Sequence, residues 1–157
     1  MEQERNITVQ NSQIQLILDK ASDFIGSTLP YRSFQWTFSN HQGNFQHKFT
    51  EYIPGLMYIL SKLLVSASQN WGNGGRITYL KVSIDRSVEE ISVKTNGRTF
   101  PIQYDSHHQN LYTPETIFGI AKNIMFDSEA KGDVGPSLIN VFSKRFAIEC
   151  GDSRQKK

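Results

Sequence analysis

The chain has a single cysteine, no apolar run long enough for a membrane and almost no excess of charge. Cys150 alone, in 157 residues, excludes an internal disulfide and a zinc site built from several cysteines. The longest apolar stretch, Ile53 to Ala67, is broken by Pro54, Gly55, Ser61, Lys62 and Ser66, so it cannot span a bilayer. Met1 to Asn6 is polar and acidic, unlike a secretory signal, and an intracellular protein with no membrane partner is expected. The 17 Lys and Arg stand against 15 Asp and Glu, a net charge of +2, which is no electrostatic footprint for nucleic acid. What is there, 38% hydrophobic and 20% charged residues, suits one globular domain with a substantial core.

Residues 1–11 read as a mobile segment, residues 12–151 as one domain, and residues 152–157 as a basic tail with Arg154, Lys156 and Lys157. Asn11-Ser12 caps a short helix with Ile14, Ile17 and Leu18 on one face, ending near Ala21-Ser22. Phe34, Trp36 and Phe38 alternate with Ser33, Gln35 and Thr37, which predicts a strand with one buried face. His41 to Asn44 turns the chain into a second strand as far as Glu51. Pro54 opens the clearest helix, whose apolar stripe is Leu56, Ile59, Leu60, Leu63, Leu64 and Ala67 and whose end lies near Gln69.

A second hairpin runs from about Ile77 to Ile84, turns at Asp85-Arg86-Ser87 and returns from Glu90 to Lys94. Thr113 caps a helix with Pro114 at its first position, and Leu138, Val141 and Phe142 mark another. Phe146 to Cys150 reads as a last strand, with Cys150 buried at its end. Helices mixed with antiparallel strands predict an α+β sandwich, a mixed sheet covered by helices on one face.

Several segments carry a resemblance. Ile53 to Asn70, the Pro-Gly-Leu helix, is similar to the "VPGL…DEILVNAADN" helix of the eukaryotic type II DNA topoisomerases. Ile91 to Ile102 resembles that family's "NNGKGIPV" hairpin and loop, Leu111 to Gly119 its "YVPELIFG" segment, Gly135 to Phe146 its "GAKLCNIFSTKF" helix, and Asp23 to Ser27 its "DTYIGS". Five segments in the family's order, across residues 14 to 150, identify the chain as resembling the family's N-terminal nucleotide-binding module. That module has the GHKL (Bergerat-type) fold, a two-layer α+β sandwich. The resemblance implies ATP and Mg²⁺ as cofactors, a nuclear location, and contact with DNA only indirectly or through a partner chain. It also implies a homodimer, because the family's N-terminal region swaps between protomers, and here the N-terminal hairpin would serve. The family's transducer and DNA-cleavage domains have no match in these residues.

At the site, the resemblance implies losses. The family's general base, a glutamate that activates the attacking water, corresponds to Lys62, whose ammonium has no lone pair to accept a proton. The Mg²⁺-binding asparagine corresponds to Ser66, which could reach the ion only through a water. Gln69 replaces an aspartate and Asn70 is kept. The residue that holds the adenine amine corresponds to Thr95, while Asn96 and Gly97 match. Thr99 replaces a glycine and Phe100 an isoleucine, so the pocket should be crowded. The phosphate lid, about Lys122 to Ser137, is shorter and keeps Phe126, Asp127, Gly132 and Gly135; its phosphate-binding lysine corresponds to Ser137, preceded by Pro136.

No catalytic residue is therefore expected. Ser66, Asn70, Thr95, Asn96, Gly97, Gly132 and Gly135 are the candidates for any nucleotide binding that is retained, and Ser66 is the single metal candidate. Each has a plainer reading: Lys62 as a lysine on a solvated groove wall, the small polar residues as turn and helix-end chemistry. His107 and His108, with Asp105, lack a third ligand at metal spacing. The expected function is a degenerate ATP-binding domain without catalysis, a nucleotide-sensing or partner-binding module. Two alternatives stand beside it: an active ATPase fragment supporting DNA topological change with a partner chain, and a dimerisation module that binds no nucleotide.

Overall fold

The computed structural model describes residues 14–69, 77–97, 100, 102–104, 111–119 and 135–151. Residues 14–19 are helical and lead into α1 (Ala21–Ile25). The first helix therefore ends at Asp19, within a few residues of the expected end at Ala21-Ser22, and after a turn at Lys20 the separate short helix α1 carries the chain to Ile25. Gly26, at φ +83°, stops it, and its N–H donates to the Ser22 carbonyl at 3.1 Å.

β1 (Tyr31–Ser39) and β2 (Asn44–Tyr52) pair antiparallel, with Phe34 opposite Phe49, Trp36 opposite His47 and Phe38 opposite Phe45. The loop closes on Gly43, whose φ of +65° suits glycine and whose N–H donates to the Ser39 carbonyl at 2.8 Å. The buried face expected for the aromatic residues is not where the structure puts it. Phe34, Trp36 and Phe38 are exposed, while Ser33, Thr37 and Ser39 on the other face are half-buried. Alternation says which side chains share a face, not which face meets the core.

α2 (Pro54–Ser68) carries Pro54 at its start, where the missing N–H costs nothing. Gly55 lets this helix approach residues 25–27: a Cβ there would lie 3.0 Å from Ile25 Cδ1 and 3.2 Å from the Ser27 carbonyl. The expected stripe is half-buried at Ile59, Leu60, Leu63, Leu64 and Ala67, and the most buried positions of the helix fall beside it. Gly55 and Ser66 are buried, Ile59 and Lys62 between them are half-buried, and Leu56 is exposed. Spacings of four, three and four put these residues on one helix face.

β3 (Leu80–Asp85) and β4 (Glu90–Thr95) form a second antiparallel hairpin, Val82 opposite Val93 and Ile84 opposite Ile91. Its turn is held by Asp85, whose carboxylate accepts from the Ser87 N–H at 2.8 Å and the Ser87 hydroxyl at 2.6 Å. These bonds hold the Asp85 carboxyl below its ordinary pKa.

α3 (Thr113–Gly119) begins one residue earlier than expected. The Tyr112 carbonyl accepts from the Thr116 N–H at 3.0 Å, and the Tyr112 N–H donates to the Glu115 carboxylate at 2.7 Å. Tyr112 is therefore the cap position, with Glu115 reaching back as in a capping box, and Thr113 is already helical. α4 (Gly135–Val141) completes the described helices.

The core lies among the helices. Ile17, Ile25 and Leu138 are buried together, with Phe24, Tyr58, Ile59 and Phe142 packed around them. A second cluster centres on Phe118, whose ring meets Phe100 at 5.4 Å and Phe146 at 5.1 Å. Among the described residues the strands pair only as two separate antiparallel hairpins, so no mixed sheet is formed there. The last strand is also missing: residues 146–150 have no ladder partner. Cys150, expected buried, is exposed. Helices with antiparallel sheets make the fold α+β, and no helix among the described residues is long and apolar enough to cross a membrane.

Candidate nucleotide site

α2 contacts both β4 and α4. That arrangement gathers the elements carrying Lys62 and Ser66, Thr95 to Gly97, and Ser137. Asn70, Thr99, Gly132, His107, His108 and the lid residues 122–134 lie outside the described residues, as do residues 1–11 and the basic tail.

Lys62 is on the inward line of α2, with its Nζ 5.4 Å from the centre of the Tyr58 ring. A cation over an aromatic face four residues earlier on a helix is a local packing device. Ser66, one turn on, is 4% exposed. A buried hydroxyl on a tightly packed helix offers an ion little of the oxygen-rich, solvated shell that Mg²⁺ keeps.

At the end of β4 the candidates are occupied by the fold itself. Asn96 Oδ1 accepts from the backbone N–H groups of Thr78 at 3.2 Å and Tyr79 at 2.9 Å, and Asn96 Nδ2 donates to the Thr78 hydroxyl at 2.8 Å. The amide clamps residues 78 and 79, which precede β3. Thr95 Oγ1 accepts from the Gly97 N–H at 3.3 Å. A Cβ on Gly97 would stand 2.1 Å from Ile77 Cγ1, so the space left by the absent side chain is filled by Ile77.

On α4, Ser137 is 5% exposed and Gly135 opens the helix. Ser137 lines a cleft of about 220 Å³ with Ile14, Phe118, Gly119, Asn140 and Val141. This is below the roughly 300–1,000 Å³ of ordinary ligand pockets, and its walls are mostly apolar. Asn140 spans the helices there, its Nδ2 donating to the Phe118 carbonyl at 3.1 Å. Among the described residues no three of His, Cys, Asp and Glu are grouped to hold a metal ion.

Three participants escaped the sequence reading. Tyr58 had a signal, its spacing of four from Lys62. Ile77 and Asn140 had none, since their roles depend on which elements meet.

No family profile matches the chain. Over 153 residues it is 35% identical to DNA topoisomerase 2 of Penicillium chrysogenum, a match that covers 93% of this chain and 10% of that protein. It is 34% identical over 148 residues to a probable DNA topoisomerase 2 of Dictyostelium discoideum, covering 90% and 10%. The chain thus spans about a tenth of the length of the curated relatives it matches. Among solved structures, the ATPase region of Saccharomyces cerevisiae topoisomerase II superposes with a TM-score of 0.62 at 30% identity, over 69% of this chain and 28% of that one. The ATPase and transducer domains of DNA topoisomerase II from Balamuthia mandrillaris give a TM-score of 0.70 at 24% identity, over 83% and 35%, a likeness of fold. The sequence homologues of this chain are type II DNA topoisomerases, over about 90% of its length, and its α+β fold is that of their GHKL ATPase region.

Proposed function

We infer that the chain is a nucleotide-binding-type domain that no longer hydrolyses ATP and serves as a nucleotide-sensing or partner-binding module. The observation that carries this reading is Lys62. It stands where the resemblance calls for a carboxylate, and its ammonium lies against Tyr58. Activating a water requires a group that accepts a proton within hydrogen-bond reach, and a lysine ammonium at neutral pH accepts none. The rest of the donor set agrees. Asn96 and Gly97 are used by residues 77–79, and the buried hydroxyl of Ser66 does not fit the ligand role for Mg²⁺.

Calorimetry with Mg²⁺ and a non-hydrolysable ATP analogue, followed by a phosphate-release assay with ATP, tests the reading. Binding without release supports a sensor. No binding at millimolar nucleotide supports a partner module. Turnover that disappears on substituting Ser66 would overturn the loss of catalysis and favour an active ATPase fragment working with a partner chain.

A homodimer through the N-terminal hairpin is the second reading, and the exposure of that hairpin's aromatic side chains favours it. Light scattering at high concentration checks it.

A further inference from the structure

We propose that the homodimer forms by face-to-face packing of the aromatic face of the β1–β2 hairpin against the same face of a second copy. The face consists of Phe34, Trp36, Phe38, Phe45, His47 and Phe49. Its three cross-strand rungs bring rings together at 5.4 Å for Phe34–Phe49, 5.1 Å for Trp36–His47 and 5.3 Å for Phe38–Phe45. This rests on the homodimer reading and is independent of whether nucleotide binds.

Three observations point to a second copy. The first is area. The five hydrophobic rings are exposed by 61%, 69%, 55%, 67% and 59%. At about 150–250 Å² per aromatic side chain, that leaves about 600 Å² of contiguous apolar surface. This is the upper end of what a monomer normally shows, roughly 300–600 Å². Two such faces together bury about 1,200 Å², the lower bound of a standard specific interface.

The second observation is charge. Within the hairpin, all of whose residues are described, the aromatic face carries one cation, Arg32, and one carboxylate, Glu51. They face each other across the strands at 2.5 Å. Lys48 sits opposite Gln35, on the other face. A face whose charges cancel internally meets its own copy without repulsion, which an isologous contact requires. The same neutrality argues against nucleic acid, whose binding depends on cations for the phosphates.

The third is that a two-stranded hairpin is marginal in water until a face is covered. Here the face rich in aromatic residues is the one left open.

Sedimentation of the full chain tests the proposal in three forms. These are wild type, Trp36→Ser with Phe49→Ser on the aromatic face, and Gln35→Glu with Lys48→Gln on the other face. Circular dichroism checks that each is folded. The expected result is a dimer for wild type and for the opposite-face variant, with the aromatic variant weakened by about thirtyfold or more, the signature of lost anchor residues. A dimer that survives the aromatic substitutions overturns this interface and leaves the homodimer reading standing. A wild-type monomer at high concentration overturns both.

A measurement that leaves the face intact guards against misfolding. In a Trp71→Phe background, the emission of Trp36 should move to longer wavelength on dilution, as the ring returns to water. Emission that does not change with concentration overturns the proposal. So does emission that responds to oligothymidylate while the chain stays monomeric, in which case the rings stack on bases.

Discussion

An alanine at Gly97 would place its Cβ 2.1 Å from Ile77 Cγ1, a distance that forces one of the two to move. A glycine kept for a ligand and a glycine kept for packing therefore behave differently here. Gly97→Ala should destabilise the folded chain by about 1–3 kcal/mol, the usual cost of overpacking. Ile77→Ala in the same chain should return part of that loss, a coupling that a double-mutant cycle in urea would measure. If Gly97→Ala leaves stability unchanged, the packing explanation is wrong. Cys150 is a second position where local environment matters. It is exposed, yet desolvation around the sulfur raises the thiol above its ordinary pKa. The thiolate is the nucleophile, so alkylation by iodoacetamide at pH 7 should be slower than for a cysteine in the urea-unfolded chain. The two rates should converge as pH rises past the raised pKa. Equal rates at pH 7 would contradict it.

Among the elements, those defined by chain-local chemistry were legible in the sequence. Pro54 and the spacing that follows placed α2, and Asp85 to Ser87 placed the second turn to within a residue or two. What could not be read was orientation. Phe34, Trp36 and Phe38 announce a shared face, but nothing local says that the face looks outward. The α2 stripe is half-buried from Ile59 onward, but its first residue, Leu56, is exposed and the buried neighbour is Gly55, which admits Ile25 and the backbone of Ser27 where a larger side chain could not. The candidate site was legible as positions and illegible as contacts, since Asn96 is claimed by residues 78 and 79 only once β3 and β4 have paired. Phe146 to Cys150 alternates like a strand, yet a strand needs a neighbour to complete its ladder. The turn joining β3 and β4 yields a prediction at this scale. The folded Asp85 pKa is depressed, so its contribution is present above the unfolded carboxylate pKa and is lost as pH falls through the folded value. Asp85→Asn should flatten the acid limb of stability against pH, and an unaltered limb would remove Asp85 from the account.

For the whole molecule, buried and exposed apolar groups are unevenly shared. The buried hydrophobic side chains among the described residues are Ile17, Ile25, Phe118, Leu138 and Ile139, all on or beside helices. The first hairpin shows its rings to solvent, and Ile84 and Val88 of the second are 61% and 66% exposed. A domain with this distribution gains by association, and association that favours the folded chain makes thermal stability depend on concentration. Raising the chain concentration tenfold should raise Tm measurably in wild type, and Trp36→Ser with Phe49→Ser should remove that dependence. Salt separates the cause. The contact surface is apolar and its one ion pair, Arg32 with Glu51, lies within each copy, so sodium chloride should leave the dependence intact and sulfate should strengthen it. Ion pairs between exposed residues, such as Arg145 with Glu90 at 3.4 Å, would instead be screened. A concentration dependence of Tm that vanishes in high sodium chloride would mean that charge, and not the aromatic face, holds two copies together.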